Sequence, residues 1–258
     1  MATKNYTLGR GKLSFAPFKA GTKEPDGFRY MGNSPTFGVT VDVQELEHYD
    51  ADEGVKVLDE SVVLQANRTG SLVLDDIQPD NVALFLFSQP ETISVTAQSG
   101  LTETFTGVKL DRSYKIGISS ANPSGVLNVD PATFVAKVGA TTLVAGTDYE
   151  LDAKRGKLTL LEGATNVSDG NDVDITYDIL AYTRSHIAAG SEQVEGALLY
   201  EEFNPVGKNS VWYFPYVKVN PNGDMTMKGD DWRQIPLSVK ILKPADGHAI
   251  YQDNVPIS

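Results

Sequence analysis

The chain has 258 residues, no cysteine and a formal net charge of −12. That length allows one large all-β domain or two smaller ones, and burial of roughly 70% of the unfolded surface without covalent staples. The missing cysteines exclude a disulfide framework, a thiolate metal site and a thiol nucleophile. The charge opposes tight, sequence-independent capture of nucleic acid and adhesion to an anionic membrane, though not repulsive proximity to DNA.

The first residues, Met1 to Thr7, lack the apolar core of a secretory signal. No apolar run approaches the ~20 residues of a membrane-spanning helix. The expectation is a protein made, and soluble, in a cytoplasm.

Leu13 and Phe15 alternate with Lys12 and Ser14, which predicts a short strand over Lys12–Ala16. Gly9-Arg-Gly-Lys12 resembles a phosphate loop only superficially, because no Ser or Thr follows the lysine and a strand follows rather than a helix. Residues 19–33 are turn-rich, with a short strand at Phe28–Met31. In Thr36–Val43, Phe37, Val39, Val41 and Val43 fall on one face and Thr36, Thr40 and Asp42 on the other. A polar, acidic arm is expected over Glu45–Asp59. Strands Ser61–Asn67 and Ser71–Asp75 follow, with a turn near Arg68-Thr-Gly70. Gln78–Ser88 reads as the one helix. Pro79 suits its first position and Asp80 its first turn, and this decides against a buried strand. Its Val82–Phe87 run is apolar all round, so full burial is expected.

Strands are predicted at Thr92–Thr96, Thr102–Lys109 and Ser113–Ile118. From Val126 to Tyr182 hairpins dominate, with turns at Gly139-Ala140 and Ala153–Gly156 and a cleanly alternating strand at Val173–Ile179. This predicts a discontinuous main domain, 1–125 and 183–258, carrying an inserted all-β hairpin subdomain, 126–182. The last third offers Val194–Glu202, Val211–Val219 and Ile235–Leu242. Pro236 implies an edge or a bulge in the last of these.

No reactive site stands out. His48, His186 and His248 have no partners at metal-ligand spacing. Asp169–Asp174 starts like a calcium loop but has Val173 where an oxygen ligand is needed and no closing glutamate. Glu201-Glu202 and Asp75-Asp76 are adjacent acids of an acidic chain, without a sign of a buried acid for glycoside hydrolysis. No Gly-x-Ser-x-Gly elbow is present. The aromatic run Val211–Tyr216 fits a core or interface strand better than a sugar platform. No enzyme activity, cofactor or metal is expected.

Several motifs, in this order along the chain, resemble the major tail tube proteins of long-tailed, siphovirus-like bacteriophages. They are Arg10-Gly-Lys-Leu13, Gly32–Phe37 entering a strand, Glu45–Asp50 opening the arm, and Asp59-Glu60 before a strand. Asp75-Asp-Ile77 before the Asn81–Phe85 helix, Val217–Asp224 and Lys228-Gly-Asp-Asp-Trp232 complete the set, and together they cover about two-thirds of the chain.

The resemblance implies an all-β fold with one packed helix, a β-sandwich or partial barrel. It implies a structural virion protein whose copies form rings, usually hexameric, stacked into a tube that conducts DNA from capsid to host. Tape-measure and tail terminator proteins would be partners, double-stranded DNA would pass without sticking, and no membrane is involved. The place of action would be the virion tail, after assembly in the host bacterial cytoplasm. An acidic, neutral-polar lumen repels phosphate, in keeping with the composition. Rival readings are the inner tube of a contractile tail or secretion system, and a carbohydrate-binding β module on a phage particle.

Two sets of residues follow as expectations. Thr40, Asp42, Gln65 and Asn67 would face the channel, opposite Val39, Val41, Val62, Leu64 and Ala66. Glu45, Glu47, His48, Tyr49, Asp50, Asp52, Glu53, Gly54 and Lys56 would form an arm that orders against a neighbouring subunit.

Overall fold

A computed structural model describes residues 6–52 and 54–256. The chain runs β1 (Gly11–Pro17), β2 (Arg29–Tyr30), β3 (Thr36–Asp50), β4 (Val57–Leu74), α1 (Pro79–Phe85), β5 (Glu91–Val95), β6 (Gln98–Phe105), β7 (Arg112–Lys115) and β8 (Val135–Val138). It continues β9 (Thr141–Thr142), β10 (Tyr149–Asp152), β11 (Lys157–Leu160), β12 (Val173–Ile179), β13 (Tyr182–His186), β14 (Val194–Glu202), β15 (Ser210–Pro221), β16 (Ile235–Ile241) and β17 (Tyr251–Asn254). Among the described residues the fold is all-β with one helix. It is built from antiparallel sheets without a closed barrel among the described residues.

Two compact units divide it: residues 1–91 with 187–258, and the inserted Thr92–His186. The insertion thus starts at Thr92, not at Val126 as the hairpin texture suggested. The reason is long-range pairing. β6 is the partner of β12, and β7 is the partner of β11. Both early strands belong with the later hairpins, which local periodicity cannot reveal.

The first unit holds one sheet in the order β2-β1-β14-β15-β16-β4-β3, with β17 also on β15. Alternation places Leu13, Phe15, Leu72, Leu74, Leu198, Phe214, Leu237 and Val239 on one buried face, closed by Leu84 of α1. The helix buries Asn81, Ala83 and Leu84, while Val82 and Phe85 are half-buried, so the apolar run is not covered all round. Asn81 fastens it: its Nδ2 donates to the Met31 and Asp76 carbonyls at 2.7 and 2.9 Å, and its Oδ1 accepts from Arg29.

The turn expected near Arg68–Gly70 does not exist, and β4 runs straight through. Gly70 is there because a Cβ would lie 2.7 Å from Val239 Cγ2 on the adjacent strand. β16 is interior, not an edge. Its register with β15 ends at Leu237↔Pro221, so Pro236 stands just past that ladder, where a missing N–H is tolerated.

The inserted unit pairs β10-β11-β7 in one sheet and β6-β12-β8-β9 in another, with β5 and β13 as a separate ribbon. Val173, Ile175, Tyr177 and Ile179 are buried as their alternation predicts, with Leu158, Leu160, Val108 and Ile116 in the same core.

Its buried Asp148 lies in Gly146-Thr-Asp-Tyr149. The carboxylate accepts from the N–H groups of Val144, Thr165 and Asn166 and from Asn166 Nδ2, at 2.8–3.0 Å. Burial alone would raise this acid, but the donors outweigh burial and hold it well below the usual carboxylate range. A carboxyl depressed in the fold stabilises above its unfolded value, roughly pH 4, and that contribution is lost as pH falls through the folded value. Asp148→Asn turns an NH2 toward one set of donors and should remove about 2–3 kcal/mol, or roughly 10 °C or more of the insertion's Tm. A melt followed at pH 7 and at about pH 3 checks this. The wild-type advantage should shrink at acid pH, and an unchanged Tm at pH 7 would refute the role.

Candidate assembly surface

The polar arm expected between two strands is itself the outer half of a two-stranded ribbon. β3 and β4 stay paired from Thr36↔Val73 out to Asp50↔Val57. Only Arg68–Leu74 of β4 also pairs with β16. From Val57 to Asn67 the ribbon therefore stands clear of the sheet for roughly 35 Å, at about 3.3 Å per residue. Among the described residues, neither outer edge of this stretch has a strand partner. Residues Val57 to Asn67 are all exposed, and the ribbon's exposed side chains are often apolar: Val41, Leu46, Val55, Val63 and Leu64 are 53–78% exposed.

The register fixes which residues share a face. Thr40↔Thr69, Asp42↔Asn67 and Gln44↔Gln65 lie on one side. Thr40, Asp42, Gln65 and Asn67 are thus brought together as the alternation predicts, with Gln65 Nε2 donating to Asn67 Oδ1 at 2.7 Å. Gln44 and Thr69 belong to the same polar face, which alternation within one strand had left out. Val39, Val41, Val43 and Ala66 occupy the opposite side.

One expected face fails. Register shifts fall between Gln44 and Glu45 and between His48 and Tyr49. The first places an extra residue in β4, so Val62 sits opposite Leu46 on the polar side rather than with Ala66.

The arm residues line the ribbon's outer half. Glu45↔Val63, Glu47↔Ser61 and Tyr49↔Leu58 share one face, while His48↔Glu60 and Asp50↔Val57 share the other. Ser61 Oγ donates to Glu45 at 2.7 Å, and His48 Nδ1 lies 2.6 Å from Asp59. The Tyr49 hydroxyl donates to Glu47, which pushes the phenol up from its ordinary value. Asp52 N–H on Asp50 Oδ1 starts the tip, where Gly54 and Lys56 are exposed. Glu53 lies outside the described residues.

Three of the four adjacent acids weighed for hydrolysis are engaged in local hydrogen bonds. Glu202 accepts from Trp212 Nε1 and the Ser210 N–H, Asp75 from Asn33, and Asp76 from Gln78. In the calcium-like stretch, Asp169, Asp172 and Asp174 accept from Leu110, Gly107 and Thr104, so the segment is a hydrogen-bonded turn. No group of three or more potential metal ligands occurs among the described residues, and no described helix is long and apolar enough to cross a membrane. Of the aromatic run, Phe214 is core and Trp212 packs against it, while Tyr213 turns outward to Tyr251 and Phe28.

The chain is thus all-β, with a long two-stranded ribbon whose outer edges have no strand partner among the described residues. More narrowly, the chain belongs to the family described as "Protein of unknown function UCP028589", whose model matches residues 6–248. None of the curated proteins matches it.

Proposed function

We propose that this chain is a self-assembling structural protein whose copies form stacked rings, a tube of the kind built by the major tail tube proteins it resembles. The observation that carries this reading is the ribbon. Free backbone edges and exposed apolar side chains over roughly 35 Å are a liability in a monomer and a ready interface in an assembly. Neighbouring ribbons would pair edge to edge or lie across the next ring. The polar face holding Thr40, Asp42, Gln65 and Asn67 would look into the channel, and the Val39–Val43 face would pack on protein. Surplus carboxylates would keep free subunits soluble and passing DNA unattached.

Shortening the ribbon tests this without touching the sheet. Glu45 and Val63 face each other in register, so Leu46–Val62 can be replaced by Asn-Gly, which closes a two-residue hairpin. The expected product is a folded, soluble monomer that forms no rings or tubes in negative-stain micrographs under conditions where the full chain does. Normal tubes from the shortened chain would overturn the assembly role. A full-length chain that stays monomeric and binds glycans would favour the carbohydrate module instead.

A further inference from the structure

We propose that copies of this chain join head to tail, with the Trp232 loop of one copy seated in the Tyr213–Tyr251 groove of the next. This deepens the assembly reading and rests on it, but it uses a surface separate from the ribbon.

The donor is the loop between β15 and β16. Trp232 is 92% exposed and Met227 66%. Arg233 Nη2 donates to the Met227 carbonyl at 2.9 Å, which closes the loop and holds the indole outward. A covered tryptophan buries about 150–250 Å² and is the residue type most often found as an interface anchor.

The acceptor lies beyond the other end of β16. It is a groove of about 390 Å³ walled by Tyr213, Pro215, Pro244 and Tyr251, with Asp246 and Asp253 at its rim. The two tyrosine rings stack at 6.3 Å and 27°. The Tyr251 hydroxyl accepts the His248 N–H at 2.8 Å, which fixes that ring. Neither rim carboxylate has a hydrogen bond or ion pair among the described residues. Elsewhere the chain fills such a corner itself: Lys23 sits 4.5 Å over the Tyr216 ring and pairs with Glu195.

The parts match. The indole fits between aromatic and proline walls. Lys228 and Arg233 flank it and answer Asp246 and Asp253, while Lys243, next to Pro244, answers Asp230 and Asp231. The apolar anchor supplies affinity and the charges set orientation.

Geometry rules out the loop's own groove. Val73 and Pro236 wall the loop at the start of β16, and the groove opens past its end, about 23 Å along a seven-residue strand. Two different patches joining copy to copy make a heterologous contact, which closes into a ring or continues as a filament.

Acrylamide quenching of the full-length chain tests this directly, with a Trp232→Phe variant subtracting the Trp212 signal. Trp232 should be fully quenched in dilute monomer, and protected with blue-shifted emission once copies associate. Trp232→Ala blocks the donor, and Tyr213→Ala with Asp253→Arg blocks the acceptor. Each should weaken association about thirtyfold or more, the size of an anchor residue, with circular dichroism unchanged. A mixture of the two blocked chains should recover one donor–acceptor joint and protect Trp232 again. Association that leaves Trp232 quenched as in the monomer, or a mixture without recovered protection, would overturn this joint and leave the assembly reading standing. A wild-type chain monomeric at every concentration and salt would overturn both.

Discussion

Replacing Thr92–His186 with a short Gly/Ser linker is expected to leave a soluble, folded first unit. Replacing only Val126–Tyr182 is expected to leave no soluble protein. The two excisions differ in what they strand. The longer one ends where the chain already closes on itself, since the Gly190 N–H donates to the Leu86 carbonyl at 2.9 Å. It removes no residue of the cluster around Phe15 and Phe214. The shorter one leaves β6 without β12 and β7 without β11. It also removes every buried residue of the second core except Val108 and Ile116, which would then face water. Unpaired edges and uncovered apolar groups together drive aggregation. Soluble yield, elution volume and circular dichroism of both shortened chains decide the matter. An insoluble long excision would show that the first unit needs the insertion. A soluble, cooperative short excision would refute the boundary at Thr92. If the proposed rings are built by the first unit, the long excision should also still assemble.

What the sequence disclosed was local. Pro79 and Asp80 marked the helix, and the alternations at Val173–Ile179 and Ile235–Ile241 marked buried strand faces that are indeed buried. What it hid was non-local. Val39, Val41 and Val43 alternate as a core strand does, yet they are exposed, because periodicity reports a face and not whether anything covers it. Glu45–Asp59 reads as a polar arm and not as paired strands, since charge on both faces removes the alternation by which strands are recognised. Here β-pairing across the ribbon replaces burial as the ordering force. The bulge that moves Val62 to the polar face is set by cross-strand register, which one strand's sequence does not carry. Asp148 as a buried anchor was also hidden. Its donors come from Val144, Thr165 and Asn166, and the last two lie 17 and 18 residues away. Trp232 drew notice only as part of a resemblance, and its exposure became legible in the structure alone.

If the chain forms the proposed tube, introducing lysine at Asp42 and Gln65 is expected to leave assembly intact but slow DNA release, most of all at low salt. The register makes this a test of one face: Asp42 opposes Asn67 and Gln65 opposes Gln44, all exposed. The substitutions remove no core contact, so folding should be spared. Repeated in every copy of a ring, they replace one negative and one neutral position with two positive ones. Each lysine that meets a phosphate releases a counterion, and binding then steepens with falling salt by about 0.9 in log–log slope per contact on duplex DNA. Many weak contacts along a stacked tube would add to a drag that the unsubstituted acidic and neutral face would not exert. Val41→Lys places the same charge on the opposite face. There it should hinder packing between copies and lower tube yield, without a specific effect on DNA in whatever tubes form. Ejection measured by dye uptake across a salt series, with variant composition verified in purified tails, separates the two faces. Wild-type ejection rates from tails carrying both lysines would refute the channel assignment of this face. Slow ejection from the Val41→Lys tails instead would assign the channel to the other.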